Sequence, residues 1–239
     1  MDKLLVALDV ETGQRALDLA STLEGVAGGF KVGSRLFTRE GPELVRSLGV
    51  SGAHVFLDLK FHDIPNTVAQ AVDAAVHTGA WMINVHASGG IPMMEAAVRA
   101  GREAAQRLRR PPPLLIAVTV LTSMDEAGLR DTGIHRSLLD HVVALARMAQ
   151  AAGLDGVVAS PQETASIRKT CGDRFIIVTP GIRGASAGNE RNDQRRTMGP
   201  AEAIQAGASY VVVGRPIIGA PDPRAAAVTI ADELGRDRL

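Results

Sequence analysis

HVFLDLKFHDIPNT, residues 54–67, begins as a buried strand and ends as something else. The run HVFLDL is largely apolar, and then Asp58, Lys60 and Asp63 arrive in quick succession where such a strand ends. Seven similar runs lie elsewhere along the chain: KLLVAL (3–8), GGFKV (28–32), WMINVH (81–86), LLIAVTVL (114–121), GVVA (156–159), FIIVT (175–179) and SYVVVG (209–214). The segments between them, such as EAAVRAGREAAQRL and LLDHVVALARMAQAAG, carry apolar residues at i, i+3 and i+4, the spacing of one helix face. Strands apolar on both faces that alternate with helices imply a parallel sheet covered by helices. About eight such units in a chain near the typical barrel length of roughly 250 residues favour a closed (β/α)8 TIM barrel. The expected fold class is therefore α/β, with residues 1–239 forming a single barrel domain. An open doubly wound sheet is the alternative, because periodicity does not report closure.

Composition narrows the function. The 239 residues are 46% hydrophobic and include 25 Gly and 12 Pro, ample for a substantial core. Lys+Arg and Asp+Glu balance at 26 each, so no net charge draws the chain to nucleic acid or to an anionic membrane. Trp81 is the one large aromatic platform, poor material for stacking on single-stranded bases. Cys171 stands alone, which rules out an intrachain disulfide and points to a reducing, cytoplasmic setting. The apolar run before Asp9 is too short for a signal peptide, and no later run approaches a membrane span. PPP at 111–113 leads rigidly into the fifth strand. The polar, glycine-bearing stretch GASAGNERNDQRRTMGP, 184–200, follows the seventh, where a barrel places loops that grip ligands.

A barrel collects functional residues at the C-terminal ends of its strands and in the loops that follow. Asp9 ends the first strand, Lys31 sits near the end of the second, and Asp58 and Lys60 close the third, two apart and so on one face. His86 ends the fourth, Thr122 and Ser123 follow the fifth, Arg183 follows the seventh, and Gly214 and Arg215 follow the eighth. Singly, each has a plain structural reading. Asp9 serves equally well as a helix N-cap, Lys31 as a surface lysine, and Asp63 as the start of a helix with Pro65 at its first position. His62 and His86 read as structural hydrogen-bonding groups, since no paired His or carboxylate spacing argues for a metal cage. Together the charges are harder to explain as independent caps. Burying any one of them unpaired costs several kcal/mol, so they must pair. At about 4 Å and an effective dielectric near 20, each opposite-charge contact contributes roughly 4 kcal/mol before desolvation. Alternation of lysine with aspartate also keeps both lysines protonated. Gly214 and Arg215 sit where barrel enzymes hold a phosphate with backbone N–H groups and a guanidinium, with Gln194 placed to close over it; the plain reading of Gly-Arg is an ordinary turn.

The residues resemble a known family. Asp58-Leu59-Lys60-Phe61-His62-Asp63 followed by IPNT is similar to the signature of the orotidine 5′-phosphate decarboxylases. The resemblance runs along the chain through ALDV (7–10), KVG (31–33), LTS (121–123), TPGIR (179–183), NDQ (192–194) and VVGRPI (212–217). It implies decarboxylation of orotidine 5′-phosphate to UMP, without cofactor or metal, in a homodimer. Lys31, Asp58, Lys60 and Asp63 match the family's charged tetrad, with Lys60 the proton donor and Asp63 reaching into the neighbouring subunit's site. Ile64 and Thr67 would cross the same interface. Asp9 and Lys31 would contact the ribose hydroxyls, and Thr122 or Ser123 the pyrimidine edge. Pro180 would line the base pocket, and Arg183, Gln194, Gly214 and Arg215 would hold the phosphate.

Two rival functions go with the same barrel. Magnesium-dependent relatives that act on 3-keto-L-gulonate 6-phosphate or hexulose 6-phosphate also carry a DxKxxD motif, but with an acidic metal ligand where this chain has Lys31, and a lysine there repels Mg²⁺. A non-catalytic nucleotide-binding barrel is the other. A charged array left unused is a liability to stability, which counts against it.

Overall fold

The computed structural model of the chain describes residues 3–182 and 198–235. Eight parallel strands close on themselves in sequence order, with β1 paired to both β2 and β8. They are β1 (Leu4–Ala7), β2 (Gly29–Gly33), β3 (Val55–Phe61), β4 (Met82–His86), β5 (Leu114–Val118), β6 (Gly156–Val158), β7 (Ile176–Thr179) and β8 (Tyr210–Val213). Every strand is followed by at least one helix, as the alternation of short apolar runs with helical periodicity predicts.

Each strand is apolar on both faces because both faces are covered. Leu4 and Val6, Val55 and Leu57, Ile83 and Val85, and Val211 and Val213 pack outward against the helices. Leu5, Ala7, Phe56, Met82, Ile116, Val178 and Val212 point inward and fill the barrel. Trp81 and Tyr210 lie at the N-terminal ends of β4 and β8, rings edge to face with centroids 5.4 Å apart, and His54 stacks on Trp81 at 5.0 Å. This ring cluster lies at the end of the barrel away from the strand C-termini.

The helices start where their capping chemistry says they should. Thr12 opens the helix Gly13–Thr22 by accepting from Arg15 N–H at 3.3 Å, and Ser137 opens Leu138–Ala151 by accepting from Asp140 N–H at 3.2 Å. The helix Pro65–Val76 begins with proline, whose missing N–H is one no helix could satisfy there anyway. The long helix Gly90–Arg107 buries Met93, Met94, Ala97, Gly101 and Ala104 along one stripe. Among the described residues, no helix is long and apolar enough to cross a membrane.

Two strand boundaries depart from the sequence reading. β3 runs two residues past its apolar run, to Phe61. The fifth apolar run extends to residue 121, but β5 stops at Val118; Thr119 N–H still reaches Val158 O at 3.1 Å, and Met124 N–H then closes a turn on Leu121 O. Of the stretch 184–200, residues 184–197 lie outside the described residues; Met198 bridges Ile182, and Pro200 begins the helix Pro200–Gln205.

Candidate active site

Side chains alternate along a strand, so residues two apart share a face. Starting from the inward positions Met82 on β4 and Phe56 on β3, the next inward positions are Asn84 and Asp58; on β2 the outward packing of Phe30 and Val32 leaves Lys31 inward. Lysine, aspartate and asparagine thus enter the barrel side by side, above an apolar filling, at the strands' C-terminal ends. Gly33 on the same face of β2 leaves them room: a Cβ there would lie 3.2 Å from Lys31 Nζ.

The centre of the site is one carboxylate shared between two ammonium groups. Asp58 Oδ2 lies 3.3 Å from Lys31 Nζ, and Asp58 Oδ1 lies 2.7 Å from Lys60 Nζ. Lys31 Nζ also reaches Asp9 Oδ1 at 3.5 Å. The side chains of Asp58 and Lys31 are 12% and 13% exposed, whereas Asp9 is 58% exposed, so the array is dry on one side and open on the other. Burial pushes the Asp58 carboxyl up. The ammonium groups of Lys31 and Lys60, with hydrogen bonds from Lys60 and Asn84, outweigh it and hold the carboxyl below the usual carboxylate range. A buried ion pair contributes little net stability, because desolvation consumes most of the Coulomb gain. Stability therefore does not explain why three charges converge here.

Lys60 reaches Asp58 by an irregular route. Two residues apart on a regular strand would suffice to share a face, but the strand is not regular there. Between paired positions, β3 advances from Leu57 to Phe61 while β4 advances only from Ile83 to Val85. Four steps face two, so two residues of β3 bulge out of the ladder. Lys60 sits in this bulge with φ 53°, one of two non-glycine residues among those described in the left-handed region. Asn84 fills the gap. Its Oδ1 accepts from Lys60 N–H at 2.8 Å and its Nδ2 donates to Asp58 Oδ1 at 2.7 Å. Sequence reading missed Asn84. The signal available was a lone amide inside WMINVH, on the inward face two residues before His86.

The remaining predicted residues fall as follows. Asp9 is no helix cap, since Thr12 fills that place, and its carboxylate turns to Lys31. Asp63 is no cap either: the helix Pro65–Val76 has Ile64 at its N-cap position without a side-chain bond, and Asp63 Oδ1 takes only the adjacent Ile64 N–H at 2.6 Å. Asp63, Ile64 and Thr67 are all exposed, Ile64 by 66%, and within this chain Asp63 does not join the array. Thr122 and Ser123 form the turn after β5, ahead of the helix Glu126–Asp131. Pro180 follows β7, half-buried. Gly214 follows β8, where a Cβ would come within 3.6 Å of Asp9 Oδ2, and exposed Arg215 opens the short helix Arg215–Ile218 beside it. Arg183 and Gln194 lie outside the described residues. His86 accepts from Ser88 N–H, its Nδ1 lies 2.6 Å from Ser88 Oγ, and its ring stacks on His62 at 5.3 Å. Burial, then the His62 ring and the Lys60 ammonium, push His86 below the ordinary histidine value, so it is neutral at pH 7.

Comparison with known proteins bears on the family and the barrel. Residues 2–230 match the model of the orotidine 5′-phosphate decarboxylase / HUMPS family. The orotidine 5′-phosphate decarboxylase of Moorella thermoacetica is 55% identical over 234 residues, covering 98% of this chain and 92% of the relative. That of Syntrophotalea carbinolica is 52% identical over 232 residues, covering 97% and 94%. The crystal structure of orotidine 5′-phosphate decarboxylase from Lactobacillus acidophilus superposes with a TM-score of 0.85 at 36% identity, covering 97% of this chain and 98% of that one. With a barrel, a shared-carboxylate array and full-length similarity in agreement, the chain belongs to the orotidine 5′-phosphate decarboxylase / HUMPS family.

Proposed function

We propose that this chain is an orotidine 5′-phosphate decarboxylase, a carboxy-lyase that converts orotidine 5′-phosphate to UMP and CO₂ in pyrimidine biosynthesis. The observation that carries the reading is the Asp58 carboxylate held between Lys31 at 3.3 Å and Lys60 at 2.7 Å in the barrel mouth. The C6–carboxylate bond breaks and its electron pair stays on C6, in the plane of the ring, where no neighbouring group of the substrate delocalises it. Lys60 places a fixed positive charge beside that carbon as negative charge grows, then passes it a proton; the amine left behind is recharged from solvent. Asp58 holds the Lys60 ammonium in place through their 2.7 Å ion pair, and stands near the departing carboxylate. Asp9 and Lys31 bind the ribose hydroxyls, Thr122 or Ser123 the pyrimidine edge, and Pro180 the face of the base. Arg183, Gln194, Gly214 and Arg215 grip the phosphate, with the 184–200 loop closing over it, so that remote binding energy positions the ring. The site is completed in a homodimer by Asp63, Ile64 and Thr67 of the neighbouring subunit, all three of which are exposed in the single chain. No cofactor takes part, and the enzyme works in the cytoplasm.

The magnesium-dependent sugar-phosphate reading within the same family is disfavoured by Lys31, an ammonium 3.3 Å from Asp58 where a cation site needs an acid. One assay separates the two. The orotate absorbance is expected to disappear on adding orotidine 5′-phosphate, at the same rate after exhaustive chelation. An inert chain, or one silenced by chelation, refutes the proposal. Lys60→Ala is expected to lose at least about 10⁴-fold in kcat, as for groups acting on the reacting atoms, while still binding UMP. Substantial residual turnover removes Lys60 from its role.

A further inference from the structure

Asn84 has no part in the reaction just described, yet it is wholly buried and turns both ends of its amide to the two residues that do. Its Oδ1 takes Lys60 N–H, at the one point where β3 leaves its ladder with β4. Its Nδ2 donates to Asp58 Oδ1, the same oxygen that takes Lys60 Nζ. The amide's orientation is forced by these partners, because a backbone N–H must meet an acceptor and a carboxylate must meet a donor. We propose that Asn84 is a positioning residue for the decarboxylation. It holds the β3 bulge so that Lys60 keeps its left-handed backbone, and it turns Asp58 so that its two oxygens face two different ammonium groups.

The chemistry of the position singles out an amide. A backbone N–H released from a strand ladder inside a barrel has to find another acceptor, since a buried unsatisfied donor is costly. An apolar side chain at 84 would leave that N–H unmet and Asp58 one donor short. An aspartate would accept from Lys60 N–H but set a second carboxylate against the first. Hydroxyl side chains are too short to span from Asp58 to the Lys60 backbone, a reach the amide completes with contacts of 2.7 and 2.8 Å. Only asparagine among side chains of this size donates and accepts from opposite ends of one rigid plane. The charged groups facing Asp58 are Lys31 from β2 and Lys60 from its own strand; Asp9 meets Lys31 from beyond β1, and His86 lies on β4 near Lys60.

The inference rests on the decarboxylase reading, and the experiment keeps the two apart. Wild type, Asn84→Ala and Asn84→Asp are compared as full chains for kcat, KM, UMP affinity and thermal midpoint. Asn84→Ala is expected to lose about 10²-fold in kcat, the scale of a small misplacement of a reacting group, with KM and UMP affinity within about threefold. Asn84→Asp keeps the shape and the acceptor for Lys60 N–H but loses the donor to Asp58. It is expected to be as impaired at pH 8, and its kcat relative to wild type is expected to rise as pH falls, because two adjacent carboxyls share a proton and the introduced group can then donate again. If Asn84→Ala does not fold, the nearly isosteric Asn84→Asp carries the test alone. A kcat within threefold of wild type in the variants that fold, or a loss accounted for by the unfolded fraction, overturns the inference. A wild type inert toward orotidine 5′-phosphate fails the decarboxylase reading itself, and this proposal falls with it.

Discussion

At the scale of the residue, Lys60 is held in a conformation that works against its own type. Its φ of 53° places it in the left-handed region, which costs an L-residue with a Cβ about 1–2 kcal/mol. The proposed proton donor thus sits on strained backbone, and the strain is retained because the bulge aims the ammonium at Asp58. Relieving it gives a prediction that separates folding from function. Lys60→Gly and Lys60→Ala both remove the ammonium and are both expected to be inactive, but the glycine variant is expected to be the more stable by about 1 kcal/mol in a urea titration. An alanine variant equal to or above the glycine one would show that the position is not strained. The charges themselves were legible in the sequence, because Asp and Lys are rare inside apolar runs and DxKxxD puts three ionisable groups within half a dozen positions. Asn84 was not. A neutral amide carries no such signal, and its importance lies in contacts with residues 24 and 26 positions earlier in the chain.

At the scale of the element, the site follows from a two-residue period applied to neighbouring strands. Lys31, Asp58 and Asn84 lie on the inward faces of the neighbouring strands β2, β3 and β4. Lys31 is in register with Phe56 and Asp58 with Gly33, so Lys31 enters one inward position below Asp58. Its long side chain reaches up to the carboxylate past Gly33, without any loop deciding it. Six of the eight apolar runs match their strands to within one residue at each end; β3 and β5 are the exceptions. β3 runs on to Phe61 because its bulge absorbs the polar residues that mark a strand's end in sequence, and β5 ends early because its last apolar residues enter the turn before Met124. The short β6 shows how tightly the strands pack. Gly156 faces Ile176 on β7 so closely that a Cβ would stand 2.1 Å from Ile176 O. Gly156→Ala is expected to force the two strands apart and destabilise the fold by about 3 kcal/mol, read as a lowered denaturation midpoint, with kcat of the folded protein unchanged because the clash lies far from the barrel mouth. An unshifted midpoint would mean the two strands separate without cost.

At the scale of the whole molecule, closure does what no strand does alone: it sets β1 against β8, and with them Asp9 against Gly214. The single chain leaves one proposed member of the array unplaced, since Asp63 holds only its neighbour's N–H and is exposed beside Ile64 and Thr67. If the neighbouring subunit supplies it, two inactive variants are expected to rescue each other. Mixing Lys60→Ala with Asp63→Ala under conditions of subunit exchange yields hybrid dimers with one intact site, about a quarter of the wild-type activity at random assortment. No recovery on mixing would place Asp63 outside the shared site. The alternation of strands and helices, the collection of charges at one rim and the family were all legible in the chain, because hydrophobic periodicity and rare ionisable residues are local properties. Tertiary structure alone decided that the sheet closes, that Lys60 approaches Asp58 through a bulge, and that Asn84 is the group holding both. Those outcomes depend on pairing between strands far apart in sequence, where the energy of a contact belongs to neither residue until the other is in place.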